Sequence, residues 1–278
     1  MQEQDRAGIL AAAEKLLDEG DTLRQEGEYA QAESRYQQAF DLVDRQDPDQ
    51  ELTWALIANG LGILYKYTGR FDEAEALYRQ ALAITIRNHG ERNPDVASLY
   101  HNLGGLAHAR GQAAAGEADA RRSVEIRESL LGSEHPHVAE DKAALAAILD
   151  AQERFDEAEI LYEEALAVFR NVLGPDHLEV GINYNNLGAI RYRQGRYEEA
   201  AAYYLQSLAI KQKAEGAGHP DVALTRFNLA VLLDTQGDLT AAEGHYRQAL
   251  TVFESTLEPG HPHLLMCRQY LAEVLERI

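Results

Sequence analysis

One period dominates this chain. Stepping by 42 residues from Gly27 reaches Gly69, Gly111, Glu153, Gly195 and Gly237, five glycines in six positions. The same step from Tyr36 gives Tyr78, Ala120, Tyr162, Tyr204 and Tyr246, and from Leu61 it gives Leu103, Leu145, Leu187, Leu229 and Leu271. A fourth series runs Ala39, Ala81, Ser123, Ala165, Ser207, Ala249. Four series held in register without an insertion mean a stack of similar supersecondary units, each unable to bury its apolar face alone.

Each repeat reads as two helices. Between Leu178 and Gln194, the residues Val180, Tyr184, Leu187 and Ile190 recur at three- or four-residue spacing, which places them on one helical face. Gly195 then stops that helix, because glycine enters the left-handed backbone region at low cost. A second helix starts near Tyr197 and turns Tyr197, Ala200, Tyr204, Leu208 and Ile210 inward. A small residue recurs within the second helices, at Ala32, Ala74, Gly116, Ala158, Ala200 and Ala242, and lets paired helices approach closely. All seven prolines fall in linkers or at first-helix starts, where their missing N–H is harmless. Helix formers dominate the composition. The expected fold is therefore all-α: a right-handed α-solenoid of about 13 antiparallel helices. It forms one repeat domain over 1–278, with repeats at about 10–47, 52–89, 94–131, 136–173, 178–215 and 220–257. A capping helix over 261–278 closes the stack.

The segment HPDVALTRFNLAVLLDTQGDLTAAEGHYRQALTVFES, from His219, resembles the kinesin light chain type of tetratricopeptide repeat, as does NNLGAIRYRQGRYEEAAAYYLQSLAI from Asn185. The likeness covers about residues 10 to 278. It implies a superhelix whose concave groove, lined by the first helices, binds a peptide or partner domain. It also implies that asparagines before the repeated leucine contact ligand backbone, which carries over to Asn102, Asn186 and Asn228. Gly60 and Ala144 depart from that pattern.

Asparagine is a mediocre residue for a helix interior, so its recurrence calls for a reason. An amide both donates and accepts, so a row of them suits an extended backbone whatever its side chains. Bridging between neighbouring helices is the alternative use. Asn59 and Asn185 stand one residue earlier in their repeats, and Lys66, His101, Tyr192 and Arg193 share the same helix face. Lys66 and Arg193 would suit a carboxylate. Ala143, Ala144, Ala147 and Asp150 make a smoother stretch between the two richer patches. The expected function is a non-enzymatic adaptor for a peptide or protein, with a self-associating scaffold or regulatory subunit as the alternative.

The net charge of −20 disfavours nucleic acid, whose phosphates need Lys and Arg. The opening residues are too polar for a signal peptide, no apolar run is long enough to span a membrane, and Cys267 is the single cysteine. A cytoplasmic protein is the expectation. His135-Pro-His137 and His261-Pro-His263 look like metal-ligand pairs, yet they sit where Asn93-Pro94 and His219-Pro220 start helices, so punctuation explains them. No catalytic, metal or cofactor motif is expected, and acidic pairs such as Glu157/Glu159 and Glu198/Glu199 should face solvent. Two positions break the pattern. Around 111–125, Ala113, Gly116 and Ala120 replace larger residues and predict a thinner, softer interface. Glu153 in a glycine position predicts a strained turn.

Overall fold

The computed structural model describes residues 3–278, with side chains from residue 6 onward, and divides them into two compact units that meet at Gln152 and Glu153. The first holds α1 (Glu3–Gln25), α2 (Tyr29–Leu42), α3 (Glu51–Tyr67), α4 (Phe71–His89), α5 (Pro94–Ala109), α6 (Ala113–Leu131) and α7 (Pro136–Asp150). The second holds α8 (Phe155–Val172), α9 (Leu178–Arg193), α10 (Tyr197–Glu215), α11 (Pro220–Thr235), α12 (Leu239–Thr256) and α13 (Pro262–Leu275). All thirteen described elements are helices, as the periodicity predicts. Inside each unit a helix packs on its successor in the chain, and first helices also touch those of neighbouring repeats: α1 on α3, α3 on α5, α5 on α7, α9 on α11 and α11 on α13.

The punctuation has a common mechanism. Asn93 and His135, His177, His219 and His261, again 42 residues apart, each accept a backbone N–H two residues ahead, at 2.8 to 3.3 Å. They are helix N-caps that satisfy an otherwise unpaired donor. At the other end of α9, Gly195 has φ +75°, the Gly195 N–H bonds Tyr192 O and the Arg196 N–H bonds Arg191 O. That paired closure ends the helix and turns the chain into α10. Glu153 makes the same turn at φ +61°, so the expected strain is present: it is the only described non-glycine residue with positive φ.

Within each unit aromatic rings of second helices seat against glycines of first helices. A Cβ on Gly20 would lie 2.8 Å from the Tyr36 ring, one on Gly62 2.6 Å from Tyr78, and one on Gly188 2.8 Å from Tyr204. The tyrosines are buried together with the alanines of the periodic series. The thinner interface expected at 111–125 is present. With Ala120 in the tyrosine position, α5 and α6 move together until a Cβ on Gly116 would stand 2.7 Å from Gly104 O and 2.8 Å from Ala107 Cβ. The missing ring is replaced by close contact between the two backbones.

Candidate functional site

The two compact units each present a face of first helices, and the residues singled out from the sequence lie on those faces. In the first unit, Asn102 Nδ2 donates to Asn59 Oδ1 at 2.8 Å, linking α5 to α3. In the second, Asn228 Nδ2 donates to Asn185 Oδ1 at 3.1 Å, linking α11 to α9, and Asn185 Nδ2 lies 3.5 Å from Asn186 Oδ1. The bridging role is therefore real. It leaves capacity over, because a side-chain amide has two N–H donors and two acceptor lone pairs on its oxygen. After the Asn102-to-Asn59 bond, the Asn59 amide nitrogen and the Asn102 carbonyl oxygen are still available, and both residues are part-exposed.

Two turns along α3 from Asn59, Lys66 turns its ammonium toward Gly105 of α5, to which an added Cβ would come within 3.6 Å. The Tyr67 ring centroid lies 5.7 Å from the Lys66 nitrogen. No described carboxylate pairs with it. Burial lowers the Lys66 pKa, and the Arg24 charge from α1 pushes the same way. His108 of α5 is also lowered, first by burial; Asp150 opposes that shift and Lys66 adds to it. His108 is therefore neutral near pH 7 and Arg24 is paired with Asp21 at 3.1 Å, which leaves Lys66 as the unpaired cation of this face. Next to Asn59 a cavity of about 140 Å³ is lined by Leu52, Ala55, Leu56 and Leu99, with Thr85, His89, Asp95 and Ser98 adding polar groups. A cavity of about 150 Å³ holds a benzene-sized group. Sequence reasoning picked Asn59 and missed this pocket, because its walls come from three helices that the period alone does not bring together.

The other marked residues are tied more firmly into the fold. His101 Nδ1 is 2.8 Å from Asp141 Oδ1, and Arg127 Nε donates to Asp141 Oδ2 at 2.7 Å. Asp141 is 2% exposed, so this carboxylate clamps α5, α6 and α7. The Tyr192 hydroxyl lies 3.0 Å from Thr235 Oγ1, and its ring leans on Tyr197 with centroids 5.7 Å apart. Arg193 lies 5.6 Å from the Phe155 ring centroid. Between the asparagines the faces carry part-exposed aliphatic residues: Leu52 and Ile63 on α3, Ile182 on α9, and Leu224 and Val231 on α11. Each face is an apolar stripe flanked by amides.

Among the second-helix carboxylates, Glu159 departs from the expectation of a solvent-facing acid. It pairs with the buried Arg191 guanidinium and accepts from Gln194 Nε2 at 3.0 Å, joining α8 to α9. Glu117 is placed likewise, accepting from Gln152 at 3.1 Å, and Glu75 accepts from Arg110 at 3.3 Å. Their 42-residue spacing makes this a repeated polar joint. Glu215, His219 and Asp221 converge closely enough to suggest a metal site. Lys211, 4% exposed, lies within electrostatic reach of both carboxylates, and the capping bond occupies His219 Nδ1. The cluster compensates a buried lysine. Cys267 is fully buried, its Sγ is 3.5 Å from Tyr246 O, and burial pushes the thiol up to about 11, which leaves it protonated and inert. Among the described residues no helix is long and apolar enough to cross a membrane.

The tetratricopeptide repeat family model matches residues 11–87, 54–115, 95–171, 142–213 and 179–255. Among solved structures, BtubC (BKLC) from P. vanneervenii is 24% identical with a TM-score of 0.62, covering 94% of this chain and 96% of that one. A putative kinesin light chain of P. anserina with nearly identical TPR-like repeats is also 24% identical, with a TM-score of 0.60, covering 72% and 94%. The apo quorum sensor NprR from B. thuringiensis is 14% identical with a TM-score of 0.67, covering 95% and 68%. No curated protein matches this chain by sequence.

Proposed function

The chain belongs to the tetratricopeptide repeat family, and from that premise we propose that it is a non-enzymatic adaptor that holds an extended, acidic peptide segment of a partner protein against its first helices. The carrying observation is Lys66: a part-buried ammonium with no described carboxylate partner, two turns from an amide pair with spare bonding capacity. Burying a cation without a counter-charge is unfavourable, and such groups concentrate where a ligand completes them. A peptide carboxylate on Lys66, backbone bonds to Asn59 and Asn102, and one apolar side chain in the 140 Å³ cavity make a consistent footprint. Asn185, Asn186 and Asn228, with Tyr192 and Arg193 close by, form the corresponding surface of the second unit.

A peptide library scored by fluorescence anisotropy tests the reading. Acidic peptides with an apolar residue near the carboxylate should bind the wild type. Lys66→Met and the double change Asn59→Ala, Asn102→Ala should each weaken them about tenfold or more, the loss of a charge-assisted or paired hydrogen bond. Binding that ignores both changes, or a preference for basic peptides, refutes it.

A further inference from the structure

Lys66 is the one lysine or arginine at its place in the repeat. Steps of 42 residues from it reach His108, Asp150, Tyr192, Asp234 and Glu276. The residue facing it from α5 is just as particular: the equivalents of Gly105 are Ile63, Ala147, Ala189 and Val231. A Cβ on Gly105 would lie 3.6 Å from the Lys66 ammonium, so a branched side chain such as Ile63 or Val231 in that place would sit on the charge. The missing side chain keeps that side of the ammonium clear. The amide bridge, in contrast, occurs in both compact units, as Asn102 with Asn59 and as Asn228 with Asn185. The amides are general, and the cation belongs to the α3–α5 groove alone.

This groove has a defined length. Leu56, Asn59, Ile63 and Lys66 follow one another along α3 at three- or four-residue spacing, each exposed or part-exposed, with Ser98, Asn102 and Gly105 in step on α5. The cavity lies at the Leu56 and Ser98 end, the amide bridge crosses the middle, and Lys66 stands at the far end. Leu56 and Lys66 are ten residues apart, about 15 Å along the helix axis. Helical side chains lean toward the helix N-terminus, which brings the ammonium a little nearer the cavity. An extended peptide advances about 3.3 Å per residue and turns alternate side chains to the same surface. Three residues span about 10 Å and five about 16 Å, and both put the second side chain on the side away from the protein. Four residues span about 13 Å with both side chains facing the groove. Asp95 decides which end takes an acid: it is exposed and borders the cavity, so it would repel a peptide carboxylate there, whereas no described carboxylate pairs with Lys66.

Resting on the reading of this face as a peptide holder, we propose that the α3–α5 groove selects by spacing. Its ligand is an extended segment of a partner protein in which an apolar side chain, seated in the cavity, and an Asp or Glu, seated on Lys66, stand four residues apart. Labelled peptides of fixed length and composition, each with one leucine and one aspartate placed two to six residues apart in either order, test this by fluorescence anisotropy on the full chain. A spacing of four should bind about tenfold tighter than three or five, which lose a charge-assisted hydrogen bond. Gly105→Val keeps the ammonium but covers it, and should flatten the series. Ser98→Leu sets in the cavity the leucine that the second unit carries as Leu224, and should remove the contribution of the peptide leucine while leaving that of the aspartate. Circular dichroism confirms that both variants are folded. A wild-type series that is flat, or that peaks at any spacing other than four, overturns the spacing rule and leaves acidic-peptide binding, and with it the adaptor reading, intact. A Gly105→Val series that still peaks at four, or a Ser98→Leu protein as sensitive to the peptide leucine as wild type, overturns it as well. Absence of binding at every spacing overturns both.

Discussion

Gly116 and Gly244 both lie inside second helices, and replacing each with alanine should have opposite effects. In either helix, alanine improves intrinsic helicity by about 1 kcal/mol and restricts the unfolded chain equally. What differs is the space. Nothing lies within 4 Å of a Cβ on Gly244, so Gly244→Ala should stabilise by about 1 kcal/mol. A Cβ on Gly116 meets Gly104 O at 2.7 Å and Ala107 Cβ at 2.8 Å. Carbon contacts are comfortable at about 3.5–4.0 Å, so α6 would have to retreat by roughly 1 Å. Overpacking of this kind costs about 1–3 kcal/mol, and the upper half applies because one opposing atom is backbone and cannot rotate away. Net destabilisation of about 1–2 kcal/mol follows once the helicity gain is subtracted. Amide hydrogen exchange is the suitable assay, since it reads opening free energies locally in a stack whose ends and middle need not unfold together. Protection over 94–131 should fall in Gly116→Ala, and protection over 239–256 should rise in Gly244→Ala. If Gly116→Ala gains protection as Gly244→Ala does, the close approach of α5 and α6 is refuted.

Four further changes test other parts of the structure. Glu153→Gly relieves a left-handed residue worth about 1–2 kcal/mol but frees the unfolded chain, so the urea midpoint should rise by an amount equivalent to about 0.5–1 kcal/mol. Asp141→Ala strands the Arg127 guanidinium in a buried site and should cost about 3–5 kcal/mol in urea unfolding, whereas most surface changes stay within about 0.5. His135→Ala should lose about 1 kcal/mol in the same assay, and His135→Asn should keep the cap as Asn93 does. Lys66→Met should raise thermal stability at neutral pH while weakening peptide binding. Because the folded Lys66 pKa lies below 10.5, the unfolded chain holds more protons between the two values, and wild-type stability gains with pH across that window. In Lys66→Met that gain should be absent from denaturation midpoints measured across the same range.

The helical layout was legible because its determinants are local and repeated: glycine at the end of five of the six first helices, proline just inside the start of several, and an apolar residue every third or fourth place. The capping role of histidine was readable only as register, since Asn93 occupies the same place as His135 and His219 and the bond itself needs the backbone. Side-chain volume alone did not show how the gap at 111–125 closes. Ala113, Gly116 and Ala120 look like a void when the helices are held at a fixed separation. Separation is the free variable, however, and small residues on both sides let it shrink until the backbones touch. Gly20, Gly62 and Gly188 sit in the first helices at the same period and make room for the Tyr36, Tyr78 and Tyr204 rings, while Gly104 in that series meets Ala120.

The candidate site was legible by position and illegible by partner. Asparagine recurrence singled out one face of the first helices, yet only coordinates show that Asn59 and Asn102 bridge two helices and still keep unused bonding capacity. Charge behaved in the opposite way. Lys66 and His101 look alike in the sequence as cationic or titratable groups on one face. His101 meets Asp141, a carboxylate 40 residues on whose burial the period does not announce, whereas Lys66 meets Arg24 and Gly105. The first is consumed by the fold and the second is left over. A repeat stack gives every position the same backbone setting, so function must enter through what is unmatched in that setting. On the first-helix face of the proposed site that unmatched residue is Lys66.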